Sequence, residues 1–156
     1  MKRLTTIAVS LLAMFLVSAC GDDAATAPSS PNAFVVNGDG YTGVEVTATS
    51  SFANILSSSS SITVIGSLGG EAAEVKLLID GGVPGDYTWN SKTKVTLMVG
   101  SGSTMKMYTG TSGTTTLTSV GNAGGKAVGT YVGTLANDAD ATKKLEINGK
   151  FTANIQ

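Results

Sequence analysis

Three neighbouring polar residues, Asn137, Asp138 and Asp140, are the side chains best suited to hold a metal ion. Two carboxylates and an amide on one side of a loop offer the oxygen ligands that Ca²⁺ prefers. A Ca²⁺ loop normally supplies roughly six to eight oxygens at a recognisable spacing, which this segment does not do. We therefore interpret the segment as a solvated turn that needs no metal or cofactor, with Ca²⁺ as the weaker alternative.

Two aromatic residues, Tyr87 and Trp89, form a candidate ligand platform. Residues two apart in a strand face the same side, and paired rings suit a sugar. The favoured alternative buries Trp89 in the core, with its indole N–H bonded to the backbone, because a buried tryptophan contributes a large apolar area. Exposure of both rings would favour a carbohydrate- or peptide-binding module, and burial of both would exclude it.

The residue types present exclude most enzyme mechanisms. The chain has no histidine, and therefore no Ser–His or Cys–His nucleophile pair and no imidazole metal ligand. The close acid pairs are Glu71 with Glu74, and Asp138 with Asp140. Glu71 and Glu74 fall on opposite faces of a strand, which is poor for shared acid–base work, and an enzyme using Asp138 and Asp140 ranks last. We expect a protein without enzymatic activity.

The charge balance argues against a nucleic-acid partner. Beyond Arg3 the sequence holds no arginine, and eight lysines stand against eleven acids, a net charge of −3. A nucleic-acid-binding surface needs a basic face, and this chain lacks the charge to build an extensive one.

The only cysteine, Cys20, stands at the end of an N-terminal export signal. Two basic residues precede an apolar run over residues 4–17, which as a helix reaches about 21 Å, short of a hydrocarbon core of roughly 30 Å. The tetrapeptide Val17-Ser18-Ala19-Cys20 resembles the lipobox of bacterial lipoproteins, whose cysteine receives diacylglycerol before cleavage. The resemblance implies a signal peptide over residues 1–19 and a lipid anchor on Cys20. An unpaired exported thiol, the alternative, is disfavoured in an oxidising compartment.

The residues after Cys20 indicate the membrane to which such a lipoprotein would be sorted. Gram-negative lipoproteins with Asp directly after the cysteine tend to stay in the inner membrane, so Gly21 implies the outer membrane. Asp22 and Asp23 resemble the surface-export signals of Bacteroidota lipoproteins, although a periplasm-facing orientation stays open. Residues 20–32 are rich in Ala, Ser, Thr and Pro and are predicted to be the acylated cysteine and a flexible linker.

From residue 33 to residue 156 the sequence predicts one all-β domain. Twenty glycines and many threonines and serines mark turns about every ten residues, which favours an antiparallel β-sandwich, with a closed or partly closed β-barrel as the alternative. A short helix over residues 51–56 is the one departure considered. The turn signals include Asn37-Gly38-Asp39-Gly40, Gly100-Ser101-Gly102, Gly110-Thr111-Ser112-Gly113 and Asn137-Asp138-Ala139-Asp140.

The alternation of apolar and polar residues is most regular in the C-terminal segment. One predicted face holds Leu145, Ile147, Gly149, Phe151, Ala153 and Ile155. Asn148-Gly149 alone would predict a hairpin turn, but the alternation continues through it, so we predict a continuous strand and allow for a bulge at Gly149. Further inward rows are predicted at Val95, Leu97 and Val99, and at Leu77 and Ile79.

Two segments carry a wider resemblance. "GKAVGTYVGTLANDADATKKLEINGKFTANI" (Gly125 to Ile155) and "GGVPGDYTW" (Gly81 to Trp89) resemble small uncharacterised lipoproteins frequent in Bacteroidota and related bacteria. Together they cover about a third of the chain beyond the signal. The resemblance implies a β-sandwich-like fold and no established activity, so it supplies no catalytic residues.

The sequence thus predicts a membrane-anchored envelope lipoprotein with a non-enzymatic binding or structural β-domain, its partner an envelope protein or a glycan. A barrel-type carrier of a small apolar ligand is the first alternative, and it requires inward side chains that leave a hollow. A carbohydrate-binding surface module is the second.

Overall fold

The computed structural model describes residues 25–156, so the predicted signal peptide and Cys20 lie outside the described residues. Ten strands and one short 3-10 helix, Gly102–Thr104, make up the fold; residues 51–55 belong to a strand and not to a helix. None of the helical structure between residues 25 and 156 has the length and apolarity needed to cross a bilayer. The strands are β1 Ala33–Gly38, β2 Tyr41–Thr47, β3 Ser50–Ile55, β4 Ser60–Leu68, β5 Glu71–Ile79, β6 Gly85–Thr88, β7 Lys94–Val99, β8 Lys106–Val120, β9 Lys126–Asn137 and β10 Lys144–Ile155.

Seven strands close into a barrel in the order β3, β4, β5, β7, β8, β9 and β10, with β10 returning to β3. The β10–β3 pair is parallel and the other pairs are antiparallel. Closure arises because β9 pairs along almost its whole length with β8 on one edge and β10 on the other. The all-β prediction is confirmed, and the barrel, given above as the alternative to a sandwich, is the architecture found.

Three strands lie outside this ring. The β1–β2 hairpin pairs through β1 with the first half of β10, on the edge that β10 shares with β3. Strand β6 pairs with the middle of β8, on the edge that β8 shares with β7. Strands β8 and β10 therefore each pair with two strands along one edge, which extends the sheet beyond the ring.

The predicted inward rows form the core. All six predicted inward residues of β10 are buried, as are the rows on β5 and β7. Pairing with β9 runs unbroken from Lys144 to Asn154, which confirms the continuous strand and shows no bulge at Gly149. Glycine is needed there for space, because a β-carbon on Gly149 would overlap the ring of Tyr131 on β9.

One glycine-rich segment predicted as a turn, Gly110 to Gly113, lies inside β8. The register of β8 against β9 shifts between Gly110 and Ser112, which is a β-bulge and not a reversal. The room that the missing side chains leave is filled by Trp89, since a β-carbon on either glycine would lie 2.7 Å from the indole.

The described part of the predicted linker, residues 25–32, lies against the outside of the barrel. Asn148 donates a side-chain hydrogen bond to the carbonyl oxygen of Ala25 (3.1 Å), and the Lys150 ammonium donates one to that of Pro28 (2.9 Å). The carboxylate of Glu45 accepts hydrogen bonds from the backbone N–H and the hydroxyl of Ser29. These bonds fix where the N-terminal segment meets the barrel, on the outer face of β10.

The buried Tyr131 hydroxyl has no hydrogen-bond partner among the described residues, and burial raises its pKa. We expect Tyr131→Phe to raise the free energy of unfolding by about 1 kcal/mol at pH 7, because a buried unpaired hydroxyl is removed. Because burial raises the pKa of Tyr131 in the folded state, the phenol ionises first in the unfolded state, and the free energy of unfolding falls as the pH rises above the unfolded value of about 10, by up to about 1.4 kcal/mol per pH unit.

Urea unfolding at pH 7, 9 and 10.5 checks this prediction. Between pH 9 and pH 10.5 the free energy of unfolding of the parent protein should fall more steeply than that of Tyr131→Phe. A Tyr131→Phe variant that is less stable at pH 7, with an unchanged alkaline slope, would contradict it.

Candidate functional site

The interior of the barrel is occupied by side chains. Its largest fully buried residues come from most of the strands and form one hydrophobic cluster: Phe34, Ile62, Leu68, Leu77, Ile79, Leu97, Tyr108, Leu117, Tyr131, Leu135, Leu145 and Phe151. Interdigitating side chains leave the outer surface as the place to look for a binding site. The clefts lie near one end of the barrel, which we call the turn end and which is formed by the β1–β2, β7–β8 and β9–β10 connections.

The larger cleft at the turn end has a volume of about 470 Å³. The β1–β2 turn contributes Asp39, the start of β8 contributes residues 105–107, and the β9–β10 turn contributes residues 137–140 and Lys143. Three aspartates and two lysines line the cleft beside two methionines. The cleft therefore combines an apolar surface with charges of both signs, an arrangement suited to binding.

A hydrogen bond of 2.6 Å from the Tyr108 hydroxyl to the carboxylate of Asp39 joins the β1–β2 turn to β8. Burial, followed by the hydrogen bond to Asp39, raises the pKa of Tyr108 to about 12, so this hydroxyl stays protonated at neutral pH. Asp39 has a φ of 41°, a left-handed conformation that aspartate tolerates better than most residues. The bond thus fixes one wall of the cleft.

The Ca²⁺ candidates lie in the β9–β10 turn, where side chains cap backbone groups. The amide oxygen of Asn137 accepts hydrogen bonds from the N–H groups of Ala139 (2.9 Å) and Asp140 (3.2 Å). Asp140 accepts hydrogen bonds from the hydroxyl and the N–H of Thr142, which lower the pKa of its carboxyl. Within the part of the chain that the structure describes, no three acidic, cysteine or histidine side chains gather to hold a metal. Asn137 and Asp140 use these oxygens to close the turn.

The predicted aromatic platform is not formed. Trp89 is only 7% exposed and donates its indole N–H to the hydroxyl of Thr115 at 3.0 Å, a side-chain partner where a backbone partner was predicted. Tyr87 is half-buried and donates its hydroxyl to the carbonyl oxygen of Val83 at 2.7 Å. The two rings therefore do not share an exposed face, because the indole fills the space left by glycines on β8 and β9.

Three methionines, which the sequence reasoning missed, form the distinctive part of the turn end: Met98, Met105 and Met107, here called the methionine cluster. Met98 on β7 pairs directly with Met107 on β8. Met105 lines the larger cleft together with Met107 and a smaller cleft of about 180 Å³ together with Met98. Their signal in the sequence is the segment "MVGSGSTMKM", residues 98–107, in which a glycine-rich hairpin turn brings its two ends together.

Comparison with protein families, with curated proteins and with solved structures finds no match to this chain. The fold and the site define a small closed β-barrel with a packed interior and a cleft at its turn end. Its function must accordingly be argued from its own residues.

Proposed function

We propose that this protein is a lipid-anchored lipoprotein of the bacterial outer membrane whose β-barrel has a non-enzymatic binding or structural role. The observation that carries the proposal is the tetrapeptide Val17-Ser18-Ala19-Cys20, which places the sole cysteine directly after an apolar run too short to span a bilayer. Gly21 after the cysteine supports the outer membrane over the inner one. The partner is an envelope protein or a glycan, reached from the periplasmic or the outer surface.

Binding is proposed at the turn-end cleft and not inside the barrel. A carrier of a small apolar ligand needs a hollow, and the inward side chains of this barrel are packed against one another. A sugar platform needs accessible rings, and Trp89 is buried. Both alternatives thus lack support, whereas the cleft offers exposed apolar and charged groups together.

The attachment of residues 25–32 bears on how the barrel would sit at a membrane. Ala25 follows Cys20 by five positions, so a fully extended chain places the anchor no more than about 18 Å from Ala25. The carbonyl oxygen of Ala25 accepts a hydrogen bond from the side chain of Asn148 on the outer face of β10. The proposed anchor therefore holds the barrel close to the lipid surface.

The anchor is tested with Cys20→Ala. We expect the variant to incorporate no labelled palmitate and to leave the membrane fraction after a carbonate wash, because the acyl chains supply the membrane affinity. Ser18→Ala is the matched control, since it keeps a small residue and the cysteine and should be acylated like the parent. Acyl label on Cys20→Ala, or a parent protein that carries no label, would refute the proposal.

A further inference from the structure

We propose that the methionine cluster binds one soft monovalent metal ion, of which Cu⁺ is the biological example. The inference names a ligand for the turn-end cleft, and so it rests on the proposed binding function, but it does not depend on the lipid anchor. Met98, Met105 and Met107 would each supply a thioether sulfur.

The strand geometry brings the three side chains together. Met98 and Met107 are direct partners across the antiparallel β7–β8 pair, so their side chains lie on the same face of the sheet with β-carbons about 5 Å apart. Their inward neighbours Leu97 and Tyr108 are fully buried, which places both methionines on the outer face. Met105 has an extended backbone and lies two residues before Met107, on the same side of the strand.

Both clefts confirm that the cluster is accessible. Met105 is 50% exposed and Met107 is 39% exposed, and Met98 is partly exposed. Met105 forms part of the wall of each cleft, sharing the larger one with Met107 and the smaller one with Met98. Because methionine has three rotatable bonds and no branch, the three sulfur atoms can turn toward a common ion without a change in the backbone.

The chemistry of the donors selects the ion. Thioether sulfur is soft and uncharged, and it favours Cu⁺ over the hard cations Ca²⁺ and Mg²⁺, which prefer oxygen. Residues 25–156 contain no histidine and no cysteine, so these methionines are the only soft donors in that part of the chain, and every methionine of that part belongs to the cluster.

Two carboxylates flank the cluster and add a favourable charge for a cation. Glu74 on β5 is the direct partner of Met98, and Asp138 donates its backbone N–H to the carbonyl oxygen of Met107 at 2.9 Å. The row across the outer surface is therefore Glu74, Met98, Met107 and Asp138. Lys106 at the start of β8 and Lys143 line the larger cleft beside Met105 and Met107, so the carboxylates of Glu74 and Asp138 stand against two lysines.

The test uses Ag⁺, which is soft and monovalent like Cu⁺ and does not change its oxidation state. The full chain carrying Cys20→Ala, which removes the competing thiol, is labelled with methyl-¹³C methionine, purified in detergent and titrated with Ag⁺. We expect the methyl signals of Met98, Met105 and Met107 to shift together and to saturate at one equivalent. Signals that do not shift, or that shift independently and without saturation, would overturn the proposal.

Single Met98→Leu, Met105→Leu and Met107→Leu substitutions assign the signals and test each donor with little change in volume. Each substitution should weaken Ag⁺ binding by at least about tenfold. Removing a residue that only supports a metal ligand commonly lowers the affinity by that much, and here a ligand itself is removed. If any one of the three leaves the affinity unchanged, a three-sulfur site is excluded.

Val132→Met is the matched control. Val132 is 51% exposed on β9, away from the cluster, so the introduced methyl group reports how an isolated surface thioether responds. It should shift only after the cluster is saturated, and Zn²⁺ should shift none of the signals. An introduced methyl that titrates together with those of Met98, Met105 and Met107 would overturn the proposal. Acylation of the parent chain is measured separately, so failure of the metal site and failure of the anchor are distinguishable.

Discussion

Gly149→Ala is expected to lower the free energy of unfolding by about 3 kcal/mol, the upper end of the usual cost of overpacking a core. Gly149 pairs directly with Tyr131, and the tyrosine ring lies over the glycine, where a β-carbon would overlap it. The ring cannot simply turn away, because it is fully buried and stacks on Phe151 with ring centres 6.4 Å apart. Covering a strand glycine with an aromatic ring from a neighbouring strand is a known stabilising device of β-sheets.

Urea unfolding of a double-mutant cycle measures this contact. Tyr131→Ala alone should cost about 3 to 5 kcal/mol through the cavity it leaves. In the double variant the added methyl group has room, so the combined cost should fall below the sum of the single costs by more than about 1 kcal/mol. Asn154→Ala, at an exposed position of the same strand, is the control and should change stability by less than about 0.5 kcal/mol. Additive costs would show that the glycine is required for another reason.

The regular part of the fold was predictable because it depends on local alternation. The inward row of β10 and the rows on β5 and β7 follow from residues two apart, and all of them are buried as predicted. Closure of the barrel was not predictable in this way. It depends on β9 finding partners on both edges, and no local pattern records which remote strands will meet.

Glycine gave both correct and incorrect predictions for a physical reason. At Gly38 and Gly100 the backbone adopts a positive φ and the chain turns, as predicted. At Gly110 and Gly149 the glycine makes room for an aromatic ring from a remote part of the chain. The two roles have the same local sequence signal, since the ring that needs the space is far away in the chain.

The site was predicted only in part for a similar reason. Asn137, Asp138 and Asp140 were identified as a turn because they are adjacent in sequence. The cleft they line also needs Asp39 and Met107, which reach the same end of the barrel only after the sheet has closed. The cleft could not be predicted because its residues are far apart in the sequence. The methionine cluster could not be predicted without knowing that β7 pairs with β8.

Trp89→Ala is expected to lower the free energy of unfolding by about 3 to 5 kcal/mol, the usual range for removing a buried tryptophan. The indole sits where β-carbons of Gly110, Gly113 and Gly133 would lie within 2.7 Å of it, so no neighbouring side chain is available to fill the cavity. The hydroxyl of Thr115, fully buried, would also lose the indole N–H as its donor.

Thr115→Val separates the two contributions to the cost of Trp89→Ala, because it removes the hydrogen bond and keeps the indole. We expect it to cost about 1 to 2 kcal/mol, clearly less than Trp89→Ala, when both are measured by urea unfolding at pH 7. The comparison also tests the placement of Trp89. An indole that served as an exposed sugar platform could be removed with little loss of stability. A loss below about 1 kcal/mol for Trp89→Ala would therefore show that Trp89 is exposed and not buried. A large cost, with the smaller one for Thr115→Val, identifies Trp89 as the side chain that fills the glycine-lined space between β8 and β9.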